Sequence, residues 1–209
     1  MIVGARAQTA GAVGAAMGGL ALFLSALPPA WYGATPGDSY VFDPPPFSPL
    51  WIDRVLLPSL AVLGTVGLLV GLGTLLRRDW QLGSLLRWSG GATLLGGSAL
   101  IVGLYGPELV TPETTVVPTT ALAGLAIALW GLLLCLAGGP LLAFAYLRAG
   151  KRRLGWGLLA VVPAGLLFAW ALPDPAGNLV GALAWVGLGG LLAWELWVGT
   201  PADAGAPEP

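Results

Sequence analysis

Histidine is absent from the 209 residues, and cysteine occurs once, as Cys135. Without imidazole there can be no histidine-ligated haem and none of the usual zinc, copper or non-haem iron sites. A Ser-His triad, a His-Glu-x-x-His helix and a Cys-x-x-Cys redox pair are excluded with them, and one thiol cannot close a disulfide within the chain. No Gly-x-x-x-x-Gly-Lys-Ser/Thr phosphate loop occurs. Charge is scarce as well: 9% of residues are Asp, Glu, Lys or Arg, the net charge is −1, and Lys151 is the sole lysine. Soluble domains carry about 25% charged residues, and no basic block is present to hold nucleic acid. An enzyme acting alone is therefore not expected, nor is a bound cofactor or metal.

What remains is apolar. Hydrophobic residues make up 56% of the chain, with 33 Gly, 18 Pro and 10 Trp, a mixture typical of membrane helices. A span needs about 20 apolar residues. Six stretches qualify, at about 9–27, 55–76, 82–105, 119–147, 154–172 and 179–198. The fold class is thus all-α: a polytopic bundle of six transmembrane helices over 1–198, followed by an Ala, Pro and acid tail, 199–209, expected to be disordered. The residues Pro28-Pro29-Ala30 after the first stretch lack the Ala-x-Ala cleavage pattern of a signal peptide, so that helix is expected to be retained. Eight arginines to one lysine, with abundant Ala, Gly and Pro, point to a GC-rich prokaryotic genome.

The segment Arg148-Ala149-Gly150-Lys151-Arg152-Arg153 sets the orientation, because Lys and Arg near span ends stay on the cytoplasmic side. Alternation then places Arg6, Arg77, Arg78, Arg87, Arg148, Lys151, Arg152 and Arg153 inside and Arg54 alone outside. Both termini are expected in the cytoplasm, and the protein in the cell membrane. Most tryptophans fall near span ends, where an aromatic belt belongs.

Three groups of residues are candidate sites. The long outer loop, 31–54, holds Trp31, Tyr32, Tyr40, Phe42, Phe47 and Trp51, with Pro44-Pro45-Pro46 stiffening it; its rings either pack on helix ends or recognise a partner, a sugar or a lipid head group. At the inner rim, Arg87 and Glu195 are expected on one level and able to pair. Within the spans, Gly138-Gly139-Pro140 and Pro163 interrupt the backbone hydrogen bonding of the fourth and fifth helices. The fourth stretch would reach about 43 Å against a hydrocarbon core of ~30 Å, so a tilt or a break is required. The six-residue turn makes those two spans neighbours, and broken helices frame substrate sites in transporters, so both bends are expected to face protein.

Gly-x-x-x-Gly occurs at 14/18, 33/37, 67/71 and 177/181, no more often than this glycine content yields by chance; it marks small helix faces rather than a dimer motif. No ionisable residue stands deep in a span, which disfavours a proton-coupled pump. The expected role is an accessory or scaffold subunit of a membrane complex, in contact with the lipid bilayer and other membrane subunits. The alternative is a transporter or facilitator of a small, weakly polar substrate at the Pro140/Pro163 breaks, and an enzyme using outer-loop carboxylates ranks third.

Overall fold

Six α-helices carry the described residues, each long because its apolar residues run on with little polar interruption. They are α1 (Ala5–Tyr32), α2 (Leu57–Arg78), α3 (Ser84–Val110), α4 (Thr119–Arg148), α5 (Arg152–Ala171) and α6 (Ala176–Val198). This computed structural model describes residues 4–32, 52, 56–110, 119–172 and 176–198, and no strand occurs among them. Tyr40, Phe42, Phe47, Trp51 and the tail lie outside the described residues. Among the described residues, five helical segments are long and apolar enough to cross a membrane: Ala5–Leu27, Leu57–Arg78, Ser84–Gly106, Thr120–Arg148 and Leu179–Val198. The protein is accordingly an all-helical, multi-pass membrane protein. α5, with 20 residues opening on Arg152 and Arg153, is not among the five.

Consecutive helices are neighbours, and α6 returns to α1, closing a ring. The tightest pairings are α3 with α4, and α1 with both α2 and α6; α2 meets α3, and α4 meets α5, much more sparsely. The N-terminus of α1, the C-terminus of α6 and the turns α2–α3 and α4–α5 share one end, here termed the basic end.

Two glycines with positive φ make those turns. Gly83, at φ 140°, follows a 3-10 turn (Trp80–Leu82) and redirects the chain into α3. Gly150, at φ 82°, ends α4: its N–H donates to the Leu147 carbonyl at 3.1 Å, and that of Lys151 donates to the Tyr146 carbonyl at 2.9 Å. This bond pair is the Schellman motif, in which a left-handed glycine satisfies the last helical carbonyls.

Helices in lipid gain little from hiding apolar surface, so close backbone approach and polar contacts hold them together. α1 and α2 meet through glycine. A Cβ built on Gly18 would stand 2.6 Å from both the Gly64 carbonyl oxygen and the Leu68 nitrogen, and one on Gly67 would stand 2.5 Å from the Gly14 oxygen. The repeats at 14/18 and 67/71 therefore face each other within one chain. Gly19 and Gly189 serve α1 and α6 in the same way. On α4, the stripe Gly124, Ala128, Gly131, Cys135 and Gly138 packs on Gly96, Gly103 and Thr93 of α3. The largest fully buried side chains, Leu75, Leu86, Leu142, Tyr146, Leu154 and Leu196, all lie near the basic end.

Gly18→Ala should force α1 and α2 apart, because the new methyl meets backbone that cannot rotate away; overpacking of this kind costs about 1–3 kcal/mol. Gly91→Ala, with nothing within 4 Å of the added carbon, is the control. Thermal unfolding of both variants in detergent checks this, with a lowered midpoint expected for the first alone.

Candidate functional site: an ion-pair cluster at the basic end

Arg78 closes α2 and Asp79 caps it, the Asp79 N–H donating to the Leu75 carbonyl at 2.9 Å. The cap turns the Asp79 carboxylate inward, where the residue is only 6% exposed. A bare carboxylate there would cost several kcal/mol. Lys151 removes that penalty: its ammonium donates to both Asp79 oxygens at 2.8 Å. The Arg78 Nε donates to Oδ1 at 3.2 Å. The Schellman turn at Gly150 delivers Lys151 to this position, with its ammonium 5.9 Å from the centre of the Tyr146 ring.

Arg78 also reaches α6. Its Nη1 donates to the Glu195 carbonyl at 2.6 Å, and Nη2 stands 3.8 Å from Glu195 Oε2. Tyr146, wholly buried, puts its hydroxyl beside the Asp79 carboxylate, with Arg78 and Glu195 within electrostatic reach. The cluster thus ties the α2–α3 turn, the α4–α5 turn and the end of α6 into one knot. Both carboxylates engage cations, an arrangement suited to holding elements in register rather than to proton transfer. Among the described residues, no group of three His, Cys, Asp or Glu side chains is placed to hold a metal.

The positions singled out in the sequence fall as follows. Glu195 does lie at the basic end, but its ion pair is with Arg78. Arg87 instead stacks on Trp80, 5.5 Å from the ring centre; only four residues into α3, it is turned outward while Leu86 takes the buried position. Gly138 is a packing contact, since a Cβ there would sit 2.7 Å from Thr93 Oγ1, whereas Gly139 has nothing within 4 Å. Pro140 and Pro163 lie inside α4 and α5 and are both exposed, so neither proline faces protein as expected. Of the outer-loop aromatics, only Trp31 and Tyr32 fall on a described element, the last turn of α1.

Asp79 and Tyr146 were not singled out by sequence reasoning, and Lys151 was noted for orientation alone. A signal did exist in the single acid within Arg77-Arg78-Asp79-Trp80 and in the sole lysine, both at turns of the basic end. Nothing local, however, joins residues 72 positions apart.

Five exposed tryptophans surround the knot: Trp80, Trp88, Trp156, Trp194 and Trp197, and Arg153 stacks on Trp194 at 4.8 Å. A shallow pocket of about 200 Å³ opens beside them, lined by Ala5, Gln8, Thr9, Leu196 and Trp197. No protein-family model, curated protein or solved structure matches this chain.

Removing one partner of a buried ion pair costs about 3–5 kcal/mol, less where water reaches the pair. Lys151, 29% exposed, admits some water, so Lys151→Met should destabilise by roughly 2–3 kcal/mol. Asp79→Asn in the same chain should restore part of that loss, because no unpaired carboxylate is left behind. A double-mutant cycle of unfolding free energies in detergent measures the coupling; additive effects would mean the pair contributes nothing.

Proposed function

We propose that this protein is an accessory or scaffold subunit of a membrane complex, with six spans and both termini in the cytoplasm. The observation that carries the reading is the isolation of α4. From Ala121 to Pro140 its buried positions are Gly124, Ala128, Gly131 and Gly138, the stripe that packs on α3. The outward flank of the α3–α4 hairpin remains open, with Leu133 56%, Trp130 68% and Leu95 64% exposed. Such a hairpin, anchored to the rest of the bundle mainly at one end, suits docking against another membrane subunit.

The six-span arrangement counts α5 as a span: 20 residues reach about 30 Å. The cytoplasmic side is assigned to the end where Arg77, Arg87, Arg148, Arg152 and Arg153 cluster. The transporter alternative draws less support, since Pro140 and Pro163 occupy exposed positions and the described carboxylates of the basic end are held in ion pairs.

Two measurements test these statements. A photo-reactive residue at Trp130 should cross-link one discrete protein in native membranes, whereas the same residue at Leu63 of α2, exposed to 65%, should give lipid adducts alone. Lipid adducts from both positions would remove the scaffold reading. For topology, Ser39→Cys in a Cys135→Ala background should be labelled on intact cells by an impermeant thiol reagent, and Ser84→Cys should not. The reverse pattern would invert the orientation.

A further inference from the structure

Both carboxylates of the basic end are taken up inside the knot, Asp79 by Lys151 and Arg78, and Glu195 by Arg78. The other arginines there, Arg6, Arg77, Arg87, Arg148, Arg152 and Arg153, are all exposed. Among the described residues, none of their guanidiniums pairs with an acid or donates a hydrogen bond to the protein. These positive charges therefore face outward from one end with no counter-charge among the described residues.

Two of them are held in place. Arg87 lies over Trp80, 5.5 Å from the ring centre, and Arg153 lies over Trp194 at 4.8 Å. At this separation a guanidinium is held on an indole by cation–π attraction, which uses none of its N–H donors. The two pairs stand at different places around the bundle. Trp80 and Arg87 flank the α2–α3 turn, whereas Arg153 opens α5 and Trp194 lies one turn before the end of α6. One turn deeper, a Cβ on Gly157 would stand 2.5 Å from Leu191 Cδ2, so α5 and α6 are in contact there and bring the second pair together.

The rings fix the depth. Trp80, Trp88, Trp156, Trp194 and Trp197 are each at least 49% exposed at this end, and exposed indoles on membrane helices settle at the level of the head groups. A guanidinium lying on such a ring is at that level too, rather than in the water beyond it. The anions at that depth are lipid phosphates.

We infer that the basic end binds two anionic phospholipids by their head groups, one at Arg87 on Trp80 and one at Arg153 on Trp194. Guanidinium offers phosphate paired N–H donors. One already held on a ring has less side-chain freedom to lose on binding than Arg77 or Arg148, which have no ring contact. Charge complementarity selects the occupant. A zwitterionic head group would leave the outward charges uncompensated, and an acidic protein segment in the water would leave the indoles uncovered. The inference is separate from the scaffold reading, which rests on the outward flank at Trp130.

The test is native mass spectrometry of the full chain in detergent, titrated separately with phosphatidylglycerol and phosphatidylcholine. Two phosphatidylglycerol adducts should persist at a level where phosphatidylcholine is lost. R87Q should weaken one adduct and R153Q the other, each about fivefold, from the attraction one basic residue adds at an anionic surface. R77Q/R148Q removes as much charge as R87Q/R153Q and should leave both adducts in place. W80L/W194L keeps every charge, removes the rings and should weaken both. Melting curves without added lipid establish that each variant is folded, and W80L/W194L carries the test if R87Q/R153Q is not. Equal loss in the two arginine pairs would reduce binding to diffuse surface charge and overturn the proposal. So would equal affinity for the two lipids, unchanged adducts in W80L/W194L, or displacement of the lipid by inorganic phosphate at the same concentration.

Discussion

One carboxylate, Asp79, holds the bundle together at its basic end. It is buried to 6% exposure, so its charge requires compensation, and the compensation comes from a residue 72 positions away. That requirement fixes the distance between the α2–α3 and α4–α5 turns. Through Arg78 it extends to Glu195 at the end of α6. The α2–α3 turn, the α4–α5 turn and the end of α6 are thereby tied together at one level. The pair need not exceed an apolar replacement in stability. It suffices that a slipped register would bury a charge without its partner, which is the use of buried ion pairs in specifying one arrangement among several.

Glycine supplies the second constraint. In an apolar solvent the surfaces of two leucine-covered helices gain almost nothing by meeting each other rather than lipid. Contacts that lipid cannot reproduce decide the pairing, and the Gly14–Gly18 and Gly64–Gly67 approach is such a contact. α1, with small residues toward both α2 and α6, becomes the helix the others pack around. The arrangement then divides into a glycine-packed group, α1, α2 and α6, and a hairpin, α3–α4, with α5 lying between them along the chain.

How much of this the sequence disclosed follows from the same physics. The presence of long helices was plain, because a bilayer demands uninterrupted apolar length: 119–147 was read for a helix that spans Thr119–Arg148. The turn at Gly150 and the gathering of the arginines at one end were equally legible. Rotational phase was not. A membrane helix is apolar toward lipid and toward its neighbours alike, so no polar face marks which way Arg87 or Pro163 turns. Arg87 and Glu195 were matched on depth alone, and depth was the part that could be known; Arg78, nine residues earlier and on another helix, stands on the side where Glu195 is. The stripe Gly124, Ala128, Gly131, Cys135, Gly138 was visible as small residues at steps of four and three, yet a motif restricted to Gly-x-x-x-Gly passes over it.

The exposed leucines of α4 can be traced to length. Thirty residues make about 45 Å of helix, some 15 Å more than a hydrocarbon core. Gly138-Gly139-Pro140 does not shorten it, since the helix runs through those residues. An unbroken helix too long for the bilayer accommodates by tilting. α4 is pinned at Arg148 by the Schellman turn and by the Lys151 ion pair, so a tilt is taken up at its far end. α3, 27 residues long, can follow it, and small residues along the whole α3–α4 contact keep the two in step. α5, with 20 residues, is matched to the core and has no reason to tilt with them. The mismatch in length and the single pinned end together account for the exposed leucines of α4 above Ala143.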